Sequence, residues 1–124
     1  MKFTQPFTLR SGVILKNRVL MAPMTISSSQ ANGDVTADEL AYYHRRAKSG
    51  IGAVITACAA INKLASGFTN SIGAESDDRL ESLKRLAQSI QTGGAKAILQ
   101  IYHAGRMSNS KLLGVQPVSA SNIP

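Results

Sequence analysis

The chain has 124 residues, 44% apolar and 17% charged, enough for one compact domain with a core and too few for two. A single cysteine, Cys58, excludes an internal disulfide and points to a reducing compartment, and without a signal-peptide pattern or an apolar run of ~18 residues the chain is expected to be cytoplasmic, with no membrane partner. The net charge of +7 admits a polyanion as partner, yet the cations are scattered along the chain rather than gathered into a stripe, which disfavours nucleic acid.

Residues 7–15 place two apolar triplets around Arg10-Ser-Gly12, a pattern that predicts a β-hairpin with Gly12 in the turn. Residues 18–22 form a short apolar run stopped by Pro23, read as a first strand. The Ser-, Asn- and Gly-rich stretch from Thr25 to Val35 is a loop. Thr36 followed three residues later by Glu39 is a capping box, and Gly50 supplies a stop, so a helix is expected near 37–49 with Leu40, Tyr43 and Ala47 on its buried stripe. The continuously apolar run at 51–57 reads as a strand buried on both faces. The unit then repeats: a loop from Cys58 to Ala74, a helix near 77–92 closed by Gly93 and Gly94, and a strand at 95–102 interrupted by Gln100. Residues 105–124 lack helical period and are read as loop.

This order, a hairpin and then β-α-β-α-β, requires crossover connections and a parallel sheet, hence an α/β fold in one domain spanning 1–124. Three strands leave open edges, so the chain is expected either to pair with a second copy or to be the front part of something larger. All seven acids lie between residues 34 and 81, so the flanking cations face solvent or acids supplied by another segment. No metal is expected.

In such a sheet a ligand sits at the C-terminal ends of the strands, here Pro23-Met24-Thr25, Thr56-Ala57-Cys58 and Gln100 with His103. Thr25 reads either as a ligand contact or as the first residue of a Ser/Thr loop. Gln100 is harder to assign to packing, because a buried amide must find partners. His103 reads as a residue that holds the following loop, Arg106 as either a loop tie or a ligand contact, and Cys58 as a packed small residue.

The ordered set Arg18-Val-Leu-Met-Ala-Pro-Met-Thr25, Asp38-Glu-Leu-Ala-Tyr-Tyr-His-Arg-Arg-Ala47 and Gln100-Ile-Tyr-His-Ala-Gly-Arg106 resembles the opening of the old yellow enzyme family. The hairpin and the loop from Val118 to Pro124 extend the resemblance over essentially the whole chain. It implies an FMN-dependent NAD(P)H oxidoreductase, an ene-reductase, of which this chain would form the hairpin and the first three β/α units of a TIM (β/α)8 barrel left incomplete. It further implies that Pro23, Met24 and Thr25 lie against the flavin ring and that Thr25 offers its hydroxyl at the O4/N5 edge. Ala57 would let the ring approach, and Gln100 would pair its amide with the pyrimidine edge. In the family, NADH or NADPH reduces FMN, and a small electron-poor alkene is then reduced with protonation by an acid.

That acid, the pair that binds the substrate carbonyl and the phosphate clamp all come from later strands in the family. His44, on a helix, cannot replace them by spacing. The chain is therefore expected to be the flavin-ring half-site, inactive in enone reduction by itself. Two alternatives remain open: a non-catalytic part-barrel that forms homo-oligomers through its sheet edges, and a basic module for polyanions.

Overall fold

In the computed structural model, which describes residues 2–121, the chain begins with a small antiparallel ribbon. Strands β1 (Phe7–Thr8) and β2 (Ile14–Leu15) pair with Phe7 opposite Leu15 and Thr8 opposite Ile14. Gly12 takes φ +83°, the left-handed conformation the turn needs. Arg18 lays its guanidinium over the Phe7 ring at 4.6 Å, a cation–π contact that ties the hairpin to the start of the sheet.

The sheet itself is parallel and has β4 (Ala53–Ala60) at its centre. Strand β6 (Lys96–Tyr102) runs along one side of β4. The other side is shared by β3 (Leu20–Met21), at the beginning of β4, and β5 (Ile72–Gly73), at its end. Strand β4 is buried throughout except for half-buried Ile55, as a central parallel strand made of small and β-branched residues should be. Strand β6 is the outer strand and presents Ile98, Leu99 and Ile101 to solvent, Ile101 at 70% exposure. The sheet does not close on itself.

Helix α1 (Ala37–Ala47) starts where Thr36 Oγ1 accepts the Glu39 amide at 3.2 Å, and Asp38 and Glu39 in the first turn suit the positive end of the helix. Helix α2 (Leu80–Thr92) is entered through a 3-10 turn at Asp77–Arg79. The two helices pack on each other and on one face of the sheet. Between them and the strands lies a core of Val35, Tyr43, Val54, Ile72, Leu86 and Ile90 with alanines 47, 57, 59 and 95. Polar ties stitch the layer: Ser82 Oγ accepts the buried Val35 amide at 2.8 Å, Ser89 Oγ donates to the Leu40 carbonyl at 2.7 Å, and His44 Nδ1 lies 2.9 Å from the Ser89 carbonyl.

The structure departs from the sequence reading in two segments. The loop assigned to Cys58–Ala74 begins later, because β4 runs on through Ala59 and Ala60, and it contains β5. There Ile72, 1% exposed, pairs with Ala59; two residues are too few to show a period inside a polar stretch. The loop assigned to 105–124 contains a 3-10 turn at Gly105–Met107 and one helical turn, α3 (Ser110–Leu113), capped by Asn109 and ended by Gly114 at φ +71°. Residues 122–124 of that loop lie outside the described residues.

The two loops that follow β3 and β4 are fastened together at their bases. Ser29 donates its amide to the Asn70 carbonyl at 3.1 Å, and Gly73 donates to the Gly33 carbonyl at 2.9 Å. Gly33 has φ +89°, and a Cβ there would lie 2.9 Å from the Gly73 Cα, so the close approach requires glycine. Arg79 adds a side-chain clasp, 2.7 Å from Asp34 and 3.3 Å from Glu75.

Candidate functional site

Three of the residues singled out in the sequence come together in one row. Thr25 Oγ1, in the segment that follows β3, lies 3.4 Å from Cys58 Sγ on β4, and Cys58 is the register partner of Gln100 on β6. Register partners on adjacent strands point to the same face. Thr25, Cys58 and Gln100 therefore form a polar line from the segment after β3 across β4 to β6, on the face away from the helices. The Gln100 side chain is half-buried and makes no hydrogen bond to another described residue, so its acceptor and two donors are available. Pro23 and Met24 are exposed beside this line, Met24 at 58%.

Ala57 is placed differently from the other four predicted residues. It is 4% exposed and packs in the core beneath the helices, while its amide donates to Tyr43 Oη at 2.6 Å. Burial pushes the Tyr43 phenol up to about 12, against the smaller opposing effect of that hydrogen bond, so the group stays neutral. The register explains the local geometry. Ile55 pairs with Ile98, but the next pair is Cys58 with Gln100, so Thr56 and Ala57 together face Leu99. Such a β-bulge interrupts the ladder and re-aims the following side chains. Thr56 Oγ1 fills part of the gap, accepting the Gln100 amide at 3.2 Å and donating to the Ala57 carbonyl at 2.9 Å.

Tyr43 was not among the sequence candidates, and Thr56 was named only as part of a strand end, without a role of its own. Tyr43 reads as one more position on an apolar helix stripe; the sign of its second role is that a buried phenol oxygen must find a polar partner. Thr56 is the one polar residue in the run 51–57. His103 Nδ1 accepts the Gly105 amide at 2.9 Å, a tie within its own loop, whereas Arg106 is exposed and makes no ion pair among the described residues.

A cleft of about 580 Å3 opens elsewhere, at the far end of β4 and β5, with Asn62, Lys63, Phe68, Arg79 and Leu112 in its walls. None of the five predicted residues lines it. Among the described residues no group of three or more His, Cys, Asp or Glu is placed to hold a metal ion, and no helix is long and apolar enough to cross a membrane.

Comparison with known proteins matches this chain to flavin oxidoreductases. The chain is 45% identical over 123 residues to an NADH:fumarate oxidoreductase of Klebsiella pneumoniae (strain 342), a match that covers 98% of this chain and 13% of the relative. It is 44% identical over 115 residues to an NADH:acrylate oxidoreductase of Vibrio harveyi, covering 92% of this chain and 11% of that one. Among solved structures, the old yellow enzyme homologue from Zymomonas mobilis superposes with a TM-score of 0.87 at 29% identity, over 100% of this chain and 35% of the other. Morphinone reductase superposes with a TM-score of 0.88 at 29% identity, over 98% and 32%. The chain thus spans about a third or less of each of these proteins, and its open sheet corresponds to part of their barrel. Residues 2–123 match the NADH:flavin oxidoreductase / NADH oxidase family, and the chain belongs to it.

Proposed function

We propose that this chain forms the flavin-ring half-site of an FMN-dependent NAD(P)H oxidoreductase that reduces electron-poor alkenes, and that it does not catalyse the reaction alone. The observation that carries the reading is the Thr25–Cys58–Gln100 line, which ends in a side-chain amide without a partner among the described residues. The donor set suits a flat heteroaromatic ring with alternating acceptors and donors at its edge. Bound FMN supplies the means to take two electrons from a nicotinamide and deliver them as hydride.

This chain's residues hold and tune that ring. Gln100 offers one acceptor and two donors to a pyrimidine edge, and Thr25 offers a hydroxyl donor that favours added electron density on the ring. Pro23 and Met24 cover it with apolar surface, while Ala57, whose methyl packs into the core on the helix side, serves this face through its backbone. The named activities of the relatives, with fumarate and acrylate, support a small alkene conjugated to a carboxyl group as substrate class. An acid for the substrate and a clamp for the FMN phosphate come, on this reading, from segments beyond this chain.

An FMN titration of the purified chain, followed by flavin fluorescence and visible absorption, tests the reading. Saturable binding with a shifted spectrum is expected, weakened about tenfold in Gln100→Leu as charge-free hydrogen bonds to the ring are lost. Failure of the folded chain to bind FMN at millimolar concentration refutes it, and NADH-dependent reduction of acrylate by the pure chain refutes its inactivity. The apolar, unpaired outer edge of β6 favours a second reading, a part-barrel that self-associates; size-exclusion chromatography separates the two, since a monomer removes the second.

A further inference from the structure

We infer that Tyr43 is a positioning residue: its phenol oxygen holds the β4 bulge that sets Cys58 and Gln100 in one row with Thr25. The inference rests on the flavin reading above for its purpose, and on this chain's own geometry for its substance. Parallel strands seldom carry bulges, because the slanted ladder has no spare bond to give up without leaving a buried amide unpaired. Here the bulge frees the Ala57 amide in a place water does not reach, and Tyr43 Oη takes it at 2.6 Å. The tyrosine is itself fixed. It is 0% exposed and meets Tyr42 edge-on at 5.1 Å, and Tyr42 in turn carries the Arg46 guanidinium over its face.

The bulge decides which side chains share the row. Continuing the register of Ile55 with Ile98 without interruption would place Ala57 opposite Gln100. A one-residue shift turns every following side chain to the opposite face. Cys58 would then point toward the helices, and Thr25 would lose its 3.4 Å neighbour. The two side chains that replace the missing ladder bonds come from different places: Tyr43 from α1 behind the sheet and Thr56 from the bulge itself. Helix α1 thus reaches through the core to fix the middle of β4.

The experiment compares Tyr43→Phe, which keeps the ring and deletes the oxygen, with Ile90→Val, which weakens the core away from the bulge. Residue-resolved amide exchange of each chain is measured without flavin, and FMN titrations follow. In Tyr43→Phe the Ala57 amide is expected to exchange at least about tenfold faster relative to the α2 amides, while Ile90→Val raises exchange evenly. Binding of FMN to Tyr43→Phe is expected to weaken about tenfold with an altered visible band, and to be unchanged in Ile90→Val. Equal loss of Ala57 protection in both variants, or a Tyr43→Phe chain with wild-type FMN affinity and spectrum, overturns the inference. Absence of FMN binding by the wild-type chain refutes the flavin reading instead, and the Ala57 exchange rate still decides the bulge. If Tyr43→Phe does not fold, the wild-type chain decides: Ala57 amide protection equal to that of its β4 neighbours supports the tie, and exchange at the rate of exposed loop amides refutes it.

Discussion

Gly93→Ala puts two opposing effects in competition at the crossing of α1 and α2. Gly93 has φ −73° and ψ −8°, a conformation alanine adopts freely. On backbone grounds alone the substitution would stabilise by about 0.4–1 kcal/mol, because it restricts the unfolded chain. The new methyl, however, would lie 2.5 Å from Ala47 Cβ, 3.0 Å from the His44 carbonyl oxygen and 3.2 Å from the Ile90 carbonyl oxygen. Carbon atoms rest about 3.5–4.0 Å apart, so the helices must separate by about 1 Å at a point where Ala47 is 0% exposed. Overpacking of this kind costs about 1–3 kcal/mol, which outweighs the backbone gain. The expected net loss is about 1–2 kcal/mol, read as a lower urea midpoint at unchanged slope. Ala47→Gly removes the opposing methyl, so the double variant should lose less than the sum of the singles, with a coupling of about 1 kcal/mol or more. A neutral or stabilising Gly93→Ala, or additivity in the cycle, would show that the helix contact is not the constraint described here.

Two other perturbations bear on the loops around the site. Glu39 is 1% exposed, and burial raises its carboxyl above the usual 4.5, with the Ser29 hydroxyl and the Thr36 backbone opposing the shift. The folded state therefore keeps this proton to higher pH than the unfolded state does, and the group lowers stability progressively as pH climbs from about 4.5 through the raised value. Glu39→Gln lacks that titration, so its melting temperature should gain on the wild type between pH 4 and 7; a difference that is flat or falls over this range contradicts the assignment. Arg79→Met leaves Asp34 and Glu75 without their cation in partly buried positions. A loss of about 1–2 kcal/mol is expected by urea denaturation, between the surface and buried limits for ion pairs, with part recovered by adding Asp34→Asn. No loss in the single variant would mean the clasp contributes nothing.

The parts of this molecule that were legible in its sequence are those with a period or a stop signal. The Thr36–Glu39 capping box, the turn at Gly12 and the unbroken apolar run into β4 each reflect a local rule that tertiary packing had no reason to override. The short strand β5 escaped because its partner, Ala59, lies outside any local window. The site shows the same division. Gln100 stands out as an amide in an apolar strand, but the row it belongs to depends on an extra residue in β4 that composition does not reveal. Tyr43 looked like core and is core, yet its single polar atom does the positioning. Ala57 was singled out for its size, and what the fold uses most visibly is its backbone amide.

The bases of the loops after β3 and β4 are joined backbone to backbone, at Ser29 with Asn70 and at Gly33 with Gly73, and Ile61 is held to the Tyr102 carbonyl at 3.3 Å. The stretch from 62 to 69 thus begins and ends at anchored points. Closing a longer excursion between fixed ends costs only slowly more as residues are added. The stretch can consequently change length and character as a cassette, through duplication, deletion or grafting, while the strand tips keep their spacing. Variation in this stretch and preservation of the strand framework become separable traits, open to selection or redesign one at a time.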